Sequence, residues 1–494
     1  MDLQAATIAA QRFGFGPRPG ELKQIAADPR GWVKAQLKPE RELPPALAAL
    51  PAGEDDLLAF GRWLVQRRLA QGGDDAGLQR RAKREGVSPA ELQKLSVEDS
   101  FKAAFRARGV AAIDARIRAA SATDRPVFER LAHFWGNHFT VSAAKPASVA
   151  LPPSFEREAI RPHAAGSFRA MLRASSQHPG MLVYLDNWLS VGPNSKRAQR
   201  PAPSGPMAKA PRASARDLNE NLAREILELH TLGVDGGYQQ ADVRALAAII
   251  SGWTYQRPDL SDIVADRPAT RTAATLFEFD ADAHEPGPKT LLARTYRENG
   301  RSEGEAALDD LARHPSTARF IARKLARHYL ADAPPPAVIE RCAKAFTAAD
   351  GDIAATMTAL VDSPEAWSTP LTKFKRPEEY LISMLRALDA PPLPQGAGPG
   401  AAAGMGQRIY AAPGPDGWAD TADAWLTSDL VWKRIEYAQL VAERTARADV
   451  DAIALGEAAL GPLLAPATHE AIRRAQSPTQ ALTLLFSAPE FQRR

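Results

Sequence analysis

"LNENLAREILELHTLGVDGGY" (residues 218–238) threads two Asn, three Glu, an Arg and a His through a run of leucine and isoleucine. Leu218, Leu222, Ile226, Leu229 and Leu232 recur three or four residues apart, the period of an α-helix turning about 100° per residue. Asp217 is placed to cap the start, with Glu220 three residues on as its capping-box partner, and Gly233 to close the end in the left-handed conformation. The spacing therefore predicts a helix over 218–232. Leu227 falls opposite the main stripe, so the helix is apolar nearly all round and is expected to be buried.

The same period runs outward in both directions. "EDDLLAFGRWLVQRRLAQ" (54–71), "PVFERLAHFW" (126–135), "DVRALAAIISGW" (242–253), "PSTARFIARKLARHYL" (315–330) and "PEEYLISMLRAL" (377–388) all carry apolar residues three or four apart with strong helix formers between them. Arg125-Pro126, His178-Pro179 and His314-Pro315 mark three helix starts, since proline fits the first helical turn. Alternating β-branched runs are scarce, and "ATLFEFDAD" (274–282) is the best strand candidate. The expected fold is mainly α, a multi-helix globular fold with at most a small β-hairpin.

Two stretches rich in Pro, Gly and Ala, 192–216 and 389–418, read as loops. They divide the chain into an N-terminal helical part (1–191), a basic Pro-rich loop or insertion (192–216), a central helical part (217–388), a Gly/Pro-rich loop (389–418) and C-terminal helices (419–494). These are expected to form one continuous domain, and 192–216 is expected to be mobile.

With 494 residues, 45% of them hydrophobic, the chain can bury a large core. A formal net charge of +4 is mild for this length and demands neither nucleic acid nor an anionic membrane. The six Lys/Arg of 192–216 lack interleaved aromatics, which speaks against nucleic acid there too. No run approaches the roughly 18 apolar residues of a membrane span. The first residues have no basic or apolar signal region, so a cytoplasmic location is expected. Cys342, the only cysteine, excludes an intrachain disulfide; it shares a helix face with Val338, Ile339 and Phe346 and is expected to be a buried thiol.

The ionisable groups of the opening stretch define the chemistry. Asn221, Glu225 and Glu228 stand at i, i+4 and i+7 of one helix face. His230 lies roughly 140° from Glu225 on a regular helix, so this helix alone builds no compact metal site. A buried carboxylate must be neutralised, paired or metal-bound. Glu225 and Glu228 therefore need partners from elsewhere, either an arginine such as Arg224 in a closed network or further acid/base and metal-binding groups. "DRPVFERLAHFWGNHFTVS" (124–142) offers such groups. Glu129 and His133, four residues apart, share the face opposite Val127, Leu131, Phe134 and Trp135, while Gly136 is expected to stop the helix with Asn137 and His138 in the exit turn. A carboxylate and an imidazole so spaced fix a tautomer or bind a metal; the bland alternative is a surface ion pair. No Gly-x-Ser-x-Gly, Walker A, His-Glu-x-x-His or Cys-x-x-Cys pattern is present.

Taken together, "RFGFGPRPGEL", "HFWGNHFTVS", "HPGMLVYLDN", the stretch from Asn219 to Trp253, "HPSTARFIARKLARHYL" and "GPDGWADTADAWL" resemble, in this order and over nearly the whole chain, the bacterial family called domain of unknown function 1800. The family's pattern matches here at His133, Trp135, Asn137, His138, Asn219, Glu220, Asn221, Arg224, Glu225, Glu228, His230, Gly233, Asp242, Gly252 and Trp253. The resemblance implies a mostly helical protein of unassigned activity, often encoded beside a protein resembling alkaline phosphatases and sulfatases and often exported by a twin-arginine signal. This chain departs in lacking such a signal and in its basic 192–216 stretch.

Two functions are expected from these readings. One is an enzyme, a metal-assisted hydrolase with His133, Asn137, His138, Asn221, Arg224, Glu225, Glu228 and His230 around a pocket, a divalent metal falling to His133, His138, Glu225 and Glu228. The other is a non-catalytic accessory or export partner of the phosphatase- or sulfatase-like protein, which would bring the chain to the periplasm by co-export.

Overall fold

The computed structural model describes residues 2–70, 76–95, 98–200, 217–265, 271–445 and 450–494. Helices dominate, and among the described residues strands are confined to two antiparallel pairs, Trp253–Tyr255 with Phe277–Phe279 and Lys289–Leu291 with Arg294–Tyr296. The expected strand within 274–282 is present, but its partner comes from before the intervening helix Leu260–Ala265. The second pair is a tight hairpin whose turn, Leu292 and Ala293, takes positive φ without glycine. The Leu292 amide donates to Asp242 Oδ1 (2.8 Å), which holds that turn against the Gln240–Ile249 helix.

The three prolines begin helices as the sequence indicates, at Pro126, Pro179 and Pro315. At two of them the preceding histidine is the cap: His178 Nδ1 accepts from the Gly180 amide (3.0 Å) and His314 Nδ1 from Ser316 (3.2 Å). An accepting Nδ1 is unprotonated, so the proton of each ring belongs on Nε2.

Most buried apolar side chains gather about two centres, with two smaller clusters beside them, one around Val65, Leu78 and Leu260 and one around Leu47, Ala115 and Ala119. The larger runs from the first helices to Ala366 and includes Trp135, Leu172, Ile226, Leu246 and Leu325. The smaller joins Phe15 and Ile117 to Tyr380, Leu381, Leu460, Leu485 and Phe486. Pro126–His138 and Pro377–Ala387 belong one to each centre, and every residue of the second is buried. Where they face each other the contacts are polar: Arg130 to Glu379 at 3.7 Å and the His133 imidazole to Glu378 at 3.7 Å. A seam of charge thus separates the two apolar centres. The chain's distant segments close it, because Gln11 donates to the Ala459 carbonyl (3.0 Å) and Lys375 donates to both Gln11 (2.9 Å) and the Phe491 carbonyl (2.7 Å).

Several local expectations need correction. The 218–232 helix begins later, at Asn221, because Asn219 Oδ1 accepts the Asn221 amide and Ser190 Oγ accepts that of Asn219. Among the described residues the Asp217 carboxylate accepts only from its neighbour Leu218, so the capping box does not form. The helix is α over Asn221–Glu225 and π over Ile226–His230. Nor is it buried all round: Asn221 is exposed and Arg224, Glu225, Glu228 and Leu229 are half-buried. Gly136 does not stop its helix, which continues through His138. Glu129 and His133 are not a surface pair but are 1% and 2% exposed. The loop expected at 389–418 contains the Ala397–Gly404 helix. Of the stretch expected to be mobile, 192–200 is held by Gly192 bonding to Ala283 and by ion pairs Arg197–Asp280 and Arg200–Asp282, while 201–216 lies outside the described residues. Cys342 is fully buried, and burial pushes its thiol up to about 12.

Candidate functional site

His133 projects from the Pro126–His138 helix into a ring of charge. Its Nε2 lies 3.3 Å from Glu129 and its Nδ1 3.7 Å from Glu378. Arg161 grips Glu129 with two bonds (2.8 and 2.7 Å) and Glu40 with two more (2.9 Å each). Arg116 links Glu378 (2.6 Å) to Glu156. Gly136 leaves room for this: a Cβ there would meet Glu156 Oε2 at 3.2 Å. Burial opposes the Glu129 charge, but Arg161 overcomes it and holds the carboxyl far below the usual range. For the imidazole burial wins, assisted by Arg116, and His133 is pushed towards neutrality. A cavity of about 40 Å³ opens beside it, bordered by Asn137, Gln407, Tyr410 and Trp418. That is room for a few water molecules.

His138, one turn on, belongs to a different neighbourhood. Its Nε2 lies 3.2 Å from the His230 carbonyl, its ring packs against Phe139 and Trp135, and its Nδ1 has no partner. Among the described residues both nitrogens of His230 are unpartnered as well. Burial, then the charge of Lys324, lowers both rings, His230 to about 3. These are neutral imidazoles across the working pH range.

Glu225 and Glu228 occupy the half-open edge of the 221–230 helix. Arg224 turns mainly to Glu220 (3.1 Å) and lies 3.5 Å from Glu228. Glu220 also takes Gln240 (2.7 Å) and Arg244 (3.2 Å), so the Arg224 charge is shared among acids. Among the described residues no hydrogen bond reaches Glu225. Burial, then the charges of Glu228 and Asp416, push its carboxyl up to about 7. Tyr184 and Tyr238 are both raised to about 12, first by burial and then by these carboxylates. Lys324 lies within electrostatic reach of Asp416 and Asp420, and burial lowers its amine to about 8.

The segment 414–420 (Gly-Pro-Asp-Gly-Trp-Ala-Asp) ties the three neighbourhoods together. Asn137 clamps it with both ends of its amide, Nδ2 donating to the Trp418 carbonyl (2.9 Å) and Oδ1 accepting the Trp418 amide (2.8 Å). Gly417 has φ +81°, and a Cβ on it would stand 2.4 Å from the Asn137 carbonyl, so only glycine lets the two backbones approach so closely. Asp416 then stands within electrostatic reach of Glu225 and Lys324, while Asp420 bonds His328 Nδ1 (2.9 Å).

The expected metal set is not assembled. His133 is held in the arginine–glutamate ring, His138 meets the other helix at a backbone carbonyl, and Glu225 and Glu228 face outward. Among the described residues no group of three or more His, Cys, Asp or Glu is arranged to hold a metal ion. The carboxylates that come nearest such a role are Glu225, Glu228 and Asp416. Asn221 is exposed at the helix start and touches none of the three neighbourhoods through its side chain. Sequence reading missed Arg116, Glu156, Arg161, Lys324, Glu378 and Asp416. Glu378 and Asp416 stand in the 377–388 and 414–426 stretches as charges amid apolar or glycine-rich sequence, the one signal that would have found them.

No curated protein and no solved structure matches the chain. The sequence pattern of one family, described as "Protein of unknown function (DUF1800)", runs from residue 8 to residue 493 and takes in every element of the site. The chain belongs to this family.

Proposed function

We propose that the protein is an acid–base enzyme of hydrolytic type whose working edge is Glu225, with Glu228, Asp416 and Lys324. The observation that carries this reading is Glu225 itself, a half-buried carboxyl facing two further carboxylates with no donor of its own among the described residues. Its carboxyl stands near 7 while the Lys324 amine is lowered to about 8. A carboxyl and an amine brought towards neutrality from opposite sides suit proton transfer at physiological pH. Glu225 would exchange a proton with substrate, Glu228 and Asp416 would keep it protonated until then, and Lys324 would stabilise developing negative charge.

The test is turnover of chromogenic phosphate, sulfate, carboxylic ester and glycoside substrates by the purified chain, with and without added divalent metal. Glu225→Gln should reduce turnover by about 10²–10⁴-fold, the range of a general acid or base, with the fold intact. Equal turnover by the variant, or none by the wild type on any class, overturns the reading.

A second reading draws support from the ring around His133, where Glu129 and Glu378 are closed by arginines in the manner of a scaffold. The protein would then be an accessory of a phosphatase- or sulfatase-like partner, binding it and travelling with it. Cell fractionation with and without the partner's gene decides this: an unchanged distribution rules out co-export.

A further inference from the structure

Trp63, Val110, Ile113 and Ile409 floor a groove of about 820 Å³ between the helices Gly53–Ala70, Glu98–Ala122 and Ala397–Gly404. Arg67, Arg106 and Arg408 stand around it, and among the described residues none of those lining it is an acid. All three arginines are exposed, and among the described residues no carboxylate pairs with any of them. Arg67 has only the Trp63 ring, 5.4 Å away. The groove also has a bare place in its wall. Gly109 lies inside the Glu98–Ala122 helix, where glycine is unfavourable, and a Cβ on it would meet nothing within 4 Å.

We propose that this groove binds a single-chain anionic amphiphile, a medium- to long-chain fatty carboxylate. Its alkyl chain lies along the apolar floor and its carboxylate is taken by the arginines. The volume falls within the roughly 300–1,000 Å³ of small-molecule sites. A guanidinium fork matches a carboxylate in a way that no apolar or cationic head can. A recessed, acid-free floor suits one chain entering it better than a flat membrane surface lying across it. The site is remote from Glu225 in its lining residues and does not rest on the acid–base reading.

Calorimetric titration of the full chain with dodecanoate, below its micelle concentration, tests the proposal against dodecanol and dodecyltrimethylammonium as neutral and cationic chains of the same length. Saturable binding of dodecanoate is expected, about ten-fold or more tighter than either control, a difference of about 1.4 kcal/mol or more. The pair Arg106→Gln with Arg408→Gln should weaken dodecanoate by a similar factor. Gly109→Phe should abolish binding by filling the groove, with a melting temperature no lower than wild type because the glycine is gone and the space is open. Equal affinity for all three chains, undiminished binding by Gly109→Phe, or absence of binding overturns the proposal. So does binding to anionic phospholipid vesicles or to an acidic helical peptide without binding to monomeric dodecanoate.

Discussion

Glu129 and Glu225 are the same side chain put to opposite uses. Glu129 is buried among Arg161, Glu40 and His133 with its charge matched, and removing that charge strands Arg161. Glu129→Gln should therefore cost about 3–5 kcal/mol, the range for breaking a buried pair, read as a shift in denaturant midpoint; a loss below about 1 kcal/mol would contradict the closed ring. Glu225 is the reverse case. Its carboxyl binds a proton more tightly folded than unfolded, so its ionisation is a penalty that is absent below about pH 4 and complete above its folded value near 7. Glu225→Gln should raise the melting temperature at pH 8 and leave it nearly unchanged at pH 4.5. A uniform effect at both pH values would sink the assignment. The sequence showed that Glu225 needed a partner and offered Glu129 only as a mate for His133; it could not show that Arg161, 32 residues on, closes Glu129, or that Asp416, 191 residues on, brings Glu225 a like charge instead of a partner. Helical period places a residue on a face; only packing says whether that face meets solvent or an arginine.

At the scale of the element, the prolines and apolar spacings marked where helices lie, and the structure follows them closely. What they did not mark is the π-turn at Ile226–His230, shared in kind with Ala9–Phe13 and Glu156–Ile160. Such turns are closed by i→i+5 bonds and are often found at functional sites. They change the phase between Glu225 and His230 that a regular 3.6-residue period assumes, so the angle read from sequence does not apply. Nothing in residue composition announces this, since the same leucines suit either winding. Gly233, by contrast, was legible as a left-handed position, although the helix itself ends earlier, at His230; its φ is +84°, and the Phe320 ring would lie 2.7 Å from any Cβ placed there. Gly233→Ala should destabilise by more than about 1 kcal/mol, since both backbone and ring must move; a neutral variant would show that Phe320 yields freely. Asn137→Ala should release the 414–420 segment, raising amide exchange at Trp418 while leaving that of the Pro126–His138 helix unchanged. Equal protection in both proteins would mean the clamp is not what holds the segment.

Over the whole molecule, the mainly α architecture was readable because helical period recurs from end to end, whereas the division into two apolar centres was not. That division depends on Phe15 and Ile117 joining the later helices, a pairing no local pattern encodes. The seam between the centres sets the acid response. Glu129, Glu378, Glu379 and Asp420 are all held below their ordinary values, so the stability they bring is complete above roughly pH 5 and drains away as pH falls through about 4. His138 and His230, held neutral, add a loss that begins as pH falls through about 6.5. Melting temperature should thus decline gently below pH 6.5 in Glu225→Gln, less so in the wild type because relief of the Glu225 penalty opposes it, and steeply below pH 4.5 in both; a flat profile down to pH 4 in Glu225→Gln would refute it. The seam also bears on synthesis. Arg12 and Arg130 leave the ribosome hundreds of residues before the 366–379 stretch that meets them, and Arg494, which bonds Glu379 at 2.9 Å, follows later still. Until then Arg12 lacks the carbonyls and Arg130 the carboxylate that they meet in the folded protein, and water must remain where the seam will close. The nascent chain is committed to waiting, open and hydrated along one side, for its own distal third.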